Sequence, residues 1–345
     1  MGIIISAGKE SNFLGGSCVQ EVEVIQVSSC GVFMKRWSLS IILVAVAILS
    51  AACTYDKPME ETKNSPFVTD SFTIDGDGEK KEFHIIRLQS ALRNYMTKAN
   101  ENHAANLSSL YDETVFQPAW SVCFDKGEYI GIIQSIRENP PTNFKRLDKA
   151  MELLEKPDAM NTIKDALIKS QAYLKGPPIT NVCVLPTDLI ETSGAYTVGS
   201  GKILILYNQY LYKDMEELAS TVVHEYHHSA WTSSYYDRSK PLTLLDYLVF
   251  EGKAVAFQSM LYPGATSLPV YGEEQAGNRK IIEQNLHSTN YPFMQRIMFG
   301  GDELPLAFGY SEGYRMVQAF INSHPSLSVE QWTAATPAEI YQVPK

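Results

Sequence analysis

Residues 219-ASTVVHEYHHSAW-231 gather three of the chain's seven histidines into five positions. Apolar residues here return at three- and four-residue steps, the spacing of an amphipathic helix. With about 100° per residue and His224 as origin, Leu218, Ala219, Val222, Val223, Tyr226 and Ala230 fall between roughly 120° and 260°, one buried stripe. His228 lies about 40° from His224 and one turn further along, so both imidazoles reach a single ion at about 2.0–2.1 Å. Glu225 projects about 100° away by the same period. It is no co-ligand with them, but it reaches a water held on that ion. His227 sits about 60° from His224 on the opposite flank, and one helical turn does not bring three adjacent rings to one ion. It reads as a solvent-facing or outer-shell group.

This arrangement suits metal-assisted hydrolysis. Neutral imidazoles hold one zinc ion, which lowers the pKa of its water toward about 7, and a neighbouring carboxylate takes the proton as hydroxide attacks a carbonyl. His-Glu-x-x-His supplies both functions from one turn of helix. A protein that only holds zinc or a peptide, in the manner of a chaperone, is the competing reading. Glu225 favours hydrolysis, since a pure binder has no use for a base there.

The helix predicted from this stretch starts near Met215, where Asp214 and Glu217 make a capping box, and runs through Trp231. Thr243 with Asp246 opens the next, 244-LLDYLVFEGKAVAFQSMLY-262. The third ligand is sought there. A glycine at 231 and a histidine at 234 would make the metzincin pattern, but the chain has Trp231 and Ser234. Glu251 is the leading candidate, because a bare carboxylate inside so apolar a run is costly without a partner, and Gly252 beside it allows a close helix approach. Asp246 and Asp237 compete with it. Further on, Ser328-Val329-Glu330-Gln331 and Thr336-Pro337-Ala338-Glu339 are helix starts, with Pro337 at a first helical position.

Upstream, residues 82–175 read as a helical lobe. Segments 83-FHIIRLQSALRNYMTKA-99 and 145-KRLDKAMELLEK-156 carry helical periodicity, interrupted at Pro140-Pro141. After Gly176-Pro177-Pro178 the pattern turns to short β-prone runs, 181-NVCVLP-186 and 202-KILILYN-208, the second preceded by a glycine-rich hairpin turn at 198–201. The expected fold is α+β: mostly helical with a small mixed sheet, the catalytic core at 176–345.

The 45% hydrophobic and 20% charged content suits a globular chain, and a formal net charge of -10 without a basic stripe excludes nucleic acid as a partner. One long apolar run, 37-WSLSIILVAVAILSAAC-53, follows Met34-Lys35-Arg36 and has the composition of a secretory signal peptide over 34–52. Its ending, Leu49-Ser50-Ala51-Ala52-Cys53, resembles a bacterial lipobox, with serine in place of leucine three positions before the cysteine. That likeness implies a lipid on Cys53 and attachment to the cell membrane at its extracytoplasmic face. Residues 1–33 then read as an extension from a wrongly chosen start codon. Residues 53–81 read as a polar tether, Asp75-Gly76-Asp77-Gly78 as a turn within it. Of five cysteines, Cys123 and Cys183 remain, either bonded or buried as free thiols.

HEYHH at 224–228, the later Glu251-Gly252 followed by small and apolar residues, and 307-AFGYSEGYRMVQAF-320 resemble a bacterial family of predicted zinc-dependent proteases long catalogued as a domain of unknown function. The motif order is similar to that of gluzincin metallopeptidases. The likeness covers roughly residue 83 to the C-terminus. It implies His224, His228 and Glu251 as zinc ligands and Glu225 as general base, acting on a peptide or protein substrate. The family commonly carries another carboxylate after EG-x-A, where this chain has Val255. By position in the resembled motif, Tyr310 would be the electrophilic donor to the oxyanion, with His287, Tyr314 and His324 behind it. Gluzincin folds also place an edge strand beside the zinc. Lys202 to Asn208 is the candidate, unless that continuous apolar run is an ordinary core strand.

Overall fold

The computed structural model describes residues 67–76, 79–190, 193–265, 268–301 and 303–342. The expected N-terminal extension and signal peptide, Cys53 and most of the expected tether lie outside these residues. In chain order the elements are β1 (Val68–Gly76), β2 (Glu79–Arg87), α1 (Gln89–Glu101), α2 (Leu107–Tyr111), α3 (Gln117–Ala119), α4 (Gln134–Glu138), α5 (Phe144–Leu154) and α6 (Pro157–Gln171). Then follow β3 (Ile179–Pro186), β4 (Ala195–Gly199), β5 (Lys202–Tyr207), α7 (Met215–Tyr235), α8 (Leu244–Leu261), α9 (Ala276–Glu283), α10 (Tyr291–Phe299), α11 (Phe308–Ser323), α12 (Val329–Ala334) and α13 (Pro337–Gln342). Helices dominate, and the strands form one small mixed sheet, an α+β architecture.

The sheet runs β1-β2-β3-β5-β4, parallel at β2/β3 and β3/β5 and antiparallel at both ends. Alternate residues of its central strands feed two cores. Phe83, Ile85, Val182, Val184, Ile203 and Ile205 pack with residues of α6, α7 and α8, whereas Ile86, Cys183, Leu185, Leu204 and Leu206 pack with α1 and the helical turns after it. Cover on both faces is why β3 and β5 read as unbroken apolar runs. The second face also carries a disulfide, Cys123–Cys183, which closes a separation of 60 residues.

Three expectations are corrected here. Residues 83–87 are not helical: they complete β2, and the helix begins only at Gln89. Phe83 and Ile85 share one face while Ile86 turns to the other, so the two-residue alternation overrides the weaker three- and four-residue spacing. The tether of 53–81 is not one throughout, because β1 pairs with β2 from Val68↔Arg87 to Gly76↔Glu79. Its residues are largely exposed and polar, and Phe72, stacked 5.0 Å from Phe83, is its main hold on the core. This hairpin also joins the presumed helical lobe to the core, since β2 pairs with β3 in the same sheet. Finally, β5 is internal. The edge on that side is β4, connected to β5 through a tight turn in which Gly201 takes φ +67°.

Candidate metal centre

Two helices and an edge strand build the site. α7 begins as expected, with the Asp214 carboxylate accepting the Glu217 backbone N–H at 2.9 Å, while the Glu217 carboxylate accepts from Lys213 N rather than from the cap residue itself. The helix runs four residues past Trp231, and all five residues of HEYHH are buried. α8 opens on the predicted capping box of Thr243 and Asp246. Buried on nearly every side, α8 has to partner each polar residue it carries. Lys253 donates to the carbonyls of Thr333 (2.7 Å) and Ala335 (2.6 Å) at the end of α12, and burial lowers its pKa to about 7. Glu251 and Gln258 both face α7.

Glu251 meets the two imidazoles there. Its Oε2 lies 3.3 Å from His224 Nε2 and 3.1 Å from His228 Nε2, and the two nitrogens are 3.0 Å apart. Among the described residues this is the one cluster of His, Cys, Asp or Glu side chains arranged to hold a metal ion. Asp246 is used up by its cap, accepting from Thr243 N at 2.8 Å and Thr243 Oγ1 at 2.6 Å. Asp237 lies in an exposed loop with Ser239 and Lys240.

Gln258, two turns beyond Glu251, accepts from His224 Nδ1 at 3.2 Å, and its amide nitrogen donates to Ser220 Oγ at 2.7 Å. With Nδ1 committed as a donor, His224 Nε2 turns toward the cluster. The His228 ring stacks on Phe250 with centroids 4.0 Å apart. Burial pushes the Glu251 carboxyl up, but the charge and hydrogen bonds of the two imidazoles prevail and bring it down to about 2. Burial also opposes charge on both histidines; it prevails at His228, whose pKa is lowered, but at His224 the carboxylates overcome it and the pKa is raised. The imidazoles thus favour the charged form of Glu251. A divalent cation suits the same place, since it attracts all three converging atoms at once. Glu251 Oε1 and His228 Nδ1 have no hydrogen-bond partner despite burial, the mark of a cluster that its own protons do not satisfy. Two imidazoles and a carboxylate are also the donor set of catalytic zinc sites. The residues present fit zinc.

Glu225 is anchored by the edge strand: Thr197 Oγ1 on β4 lies 2.7 Å from Glu225 Oε2 and 2.8 Å from its backbone carbonyl. Tyr310, on α11, is buried with its hydroxyl unpartnered. Desolvation first, then the charges of Glu251 and other neighbours including Glu225, hold its phenol well above the ordinary tyrosine range. The alternatives lie elsewhere: His287 and His324 are exposed, and Tyr314 lines a cleft with Ala256 and Trp332. His227 is not solvent-facing. It is fully buried, stacked 5.7 Å from Trp332, with Nε2 3.3 Å from Thr333 Oγ1.

α11 reaches the site because it crosses α8 at two glycines. A Cβ on Gly252 would lie 2.2 Å from Gly313 O, and one on Gly313 would lie 2.1 Å from Leu248 O. Sequence reasoning missed Thr197, Ser220 and Gln258. Ser220 stands four residues before His224 and Gln258 seven after Glu251, helical spacings that put each on a ligand's face.

No curated protein and no solved structure matches the chain. The family described as "Predicted Zn-dependent protease (DUF2268)" matches residues 159–342, from α6 through α13, which contain the whole His-His-Glu cluster together with Glu225, Thr197, Gln258 and Tyr310. The match takes in more than half of the chain, and the protein belongs to this family of predicted zinc-dependent proteases.

Proposed function

We propose that the protein is a zinc metallopeptidase, exported and lipid-anchored, that hydrolyses peptide bonds. The observation that carries this reading is the convergence of His224, His228 and Glu251 to within 3.3 Å of one another beside an anchored Glu225. The three side chains would hold one zinc ion, which would supply Lewis acidity and lower the pKa of a nearby water. Gln258 keeps the His224 ring in the tautomer that presents Nε2. Glu225, oriented by the Thr197 hydroxyl, takes the proton of the attacking water and returns it to the leaving amine. Tyr310 stays protonated because its pKa is raised, so its buried hydroxyl is free to donate to the developing oxyanion. An extended substrate pairs with the edge of the sheet, here β4 rather than β5.

Export is supported by the Cys123–Cys183 disulfide, a bond that persists in oxidising compartments, and by the signal-like segment ending at Cys53. Mass spectrometry of the mature N-terminus is expected to find acylated Cys53. An unmodified chain retaining residues 34–52 would refute the anchor.

The hydrolytic assignment is tested on the full chain by zinc stoichiometry and by cleavage of a broad peptide library. Glu225→Gln should keep its zinc and lose about 10²–10⁴-fold in cleavage rate, the usual contribution of a general base. Undiminished cleavage in that variant would remove Glu225 from the mechanism. Stoichiometric zinc with no peptide cut by the unaltered protein would favour a binding protein without turnover.

A further inference from the structure

The outer edge of β4 is already occupied. Tyr129 N–H donates to Val198 O at 2.9 Å, as a neighbouring strand would, and the Glu128 carboxylate accepts the next backbone donor along, Ser200 N, at 2.8 Å. Gly127 lies so close that a Cβ on it would come within 2.6 Å of Val198 O and 2.7 Å of Val198 Cγ1. Lys126 turns the chain into this position with φ +58°, an unusual conformation for a side-chain-bearing residue. Just upstream, Cys123 is bonded to Cys183 and Val122 O accepts from Asn181 Nδ2 at 2.7 Å, so one end of the segment is pinned to β3.

Tyr129 reaches from this edge to the aromatic wall behind the metal centre. Its ring packs edge-on against Tyr236 at 5.3 Å and Phe250 at 6.1 Å, and Phe250 is the ring stacked on His228. Thr232 Oγ1 donates to His228 O at 2.7 Å, so at 2.9 Å it accepts the Tyr129 hydroxyl proton. Phe250 and Tyr236 also wall a cavity of about 380 Å³ together with Trp231, Val249 and Leu242. A main-chain donor on the edge strand and an aromatic side chain set against the wall of the metal centre are what an extended peptide would bring.

We propose that residues 126–130 are an internal pseudosubstrate: they hold the outer edge of β4 and place Tyr129 in a subsite, formed by Phe250 and Tyr236, that selects an aromatic residue of an extended peptide. The inference rests on the peptidase reading for the site's purpose and adds to it a substrate class and a closed state. Peptide entry requires the segment between Asp125 and Ile130 to swing away, with Cys123 as its fixed end.

The test uses the full chain carrying Glu225→Gln, so that bound peptide is not consumed. The probes are two fluorescein-labelled hexapeptide pools, one with Tyr or Phe at a central position and one with Ala there. Adding Gly127→Ala should raise affinity for the aromatic pool about tenfold and for the alanine pool by much less; Tyr129→Ala, which leaves the glycine contact intact, should act in the same direction. In the zinc-loaded protein, amide exchange at Tyr129 and Ser200 should proceed through local opening, faster than at the central strands. Unchanged affinity in both variants, or exchange only through global unfolding, would overturn the pseudosubstrate. An equal gain for both pools would overturn the aromatic subsite. If the variants bind as expected but Gly127→Ala with Glu225 intact cuts neither pool, hydrolysis fails and the pseudosubstrate stands.

Discussion

Two glutamate–glycine pairs face each other where α8 crosses α11. Glu251-Gly252 and Glu312-Gly313 contribute their glycines to the same close crossing, and both carboxylates are completely buried. Each directs Oε2 to two cationic or potentially cationic groups and leaves Oε1 without a hydrogen bond. Only the partners differ. Glu312 Oε2 accepts from Arg279 Nε at 2.8 Å and Arg315 Nε at 3.0 Å, and guanidinium is charged at every accessible pH. Glu251 Oε2 meets two imidazoles, and burial lowers the pKa of His228 while the neighbouring carboxylates raise that of His224. A buried carboxylate neutralised by permanent cations is structural, whereas one beside half-neutral nitrogens still attracts a metal.

The largest expected effect breaks this pair apart. Glu312→Gln takes the carboxylate out of its buried pairing with Arg279, and it should cost about 3–5 kcal/mol in urea unfolding of the metal-free protein. Whatever remains folded should bind zinc normally. Glu251→Gln should do the reverse, losing at least about 10²-fold in zinc affinity, more than outer-shell changes do, with a smaller change in metal-free stability. Chelation should lower the melting temperature of the unaltered protein but not that of Glu251→Gln. If Glu312→Gln lost zinc and kept its stability, the two sites would have been assigned the wrong way round.

A second test addresses what the two pairs share. Gly252→Ala sets a methyl carbon 2.2 Å from Gly313 O, a backbone atom with no rotamer to yield. It should cost up to about 3 kcal/mol, the upper end for overpacking, and reduce zinc affinity as α8 is pushed back and Glu251 with it. Gly264→Ala makes the control for adding a methyl group. A Cβ there meets nothing within 4 Å, although its φ of +85° carries a strain of its own. Equal zinc affinity in Gly252→Ala and the unaltered protein would show that the crossing does not set the position of Glu251.

The ligand pair was legible because it needs nothing but helical periodicity: His224 and His228 share a face on any α-helix, and the apolar stripe opposite fixes which way that face points. Glu251 was legible for a different reason, as a charge in a run too apolar to solvate it. Glu312 lies in a comparable setting in 307-AFGYSEGYRMVQAF-320, and no pattern in the sequence says that its partner is Arg279, 33 residues earlier. The edge strand was misplaced on similar grounds. The unbroken apolar run of β5 marks it as buried, while β4 (AYTVG) is short and its position at the sheet edge depends on the pairing order. β1 escaped notice because an edge hairpin strand with its residues largely in solvent has the composition of a linker.

The smallest expected effect refines the comparison at its outer shell. Neither Oε1 atom has a protein partner, so what distinguishes the two carboxylates extends to the groups that hold their partners in place. At Glu312 the guanidiniums are rigid forks that orient themselves, and Arg279 is steadied further by donating to Gly272 O at 2.6 Å. At Glu251 the His224 ring could rotate or change tautomer but for the Ser220–Gln258 relay. Gln258→Leu removes the acceptor at Nδ1 while keeping the side chain's bulk, and should weaken zinc about 10–100-fold by competition with a chromogenic chelator. Gln258→Glu retains an acceptor at Nδ1 and should hold zinc more tightly than Gln258→Leu. The order separates orientation from packing: a relay that merely filled space would be served as well by leucine as by glutamate, and the two variants would then bind zinc alike.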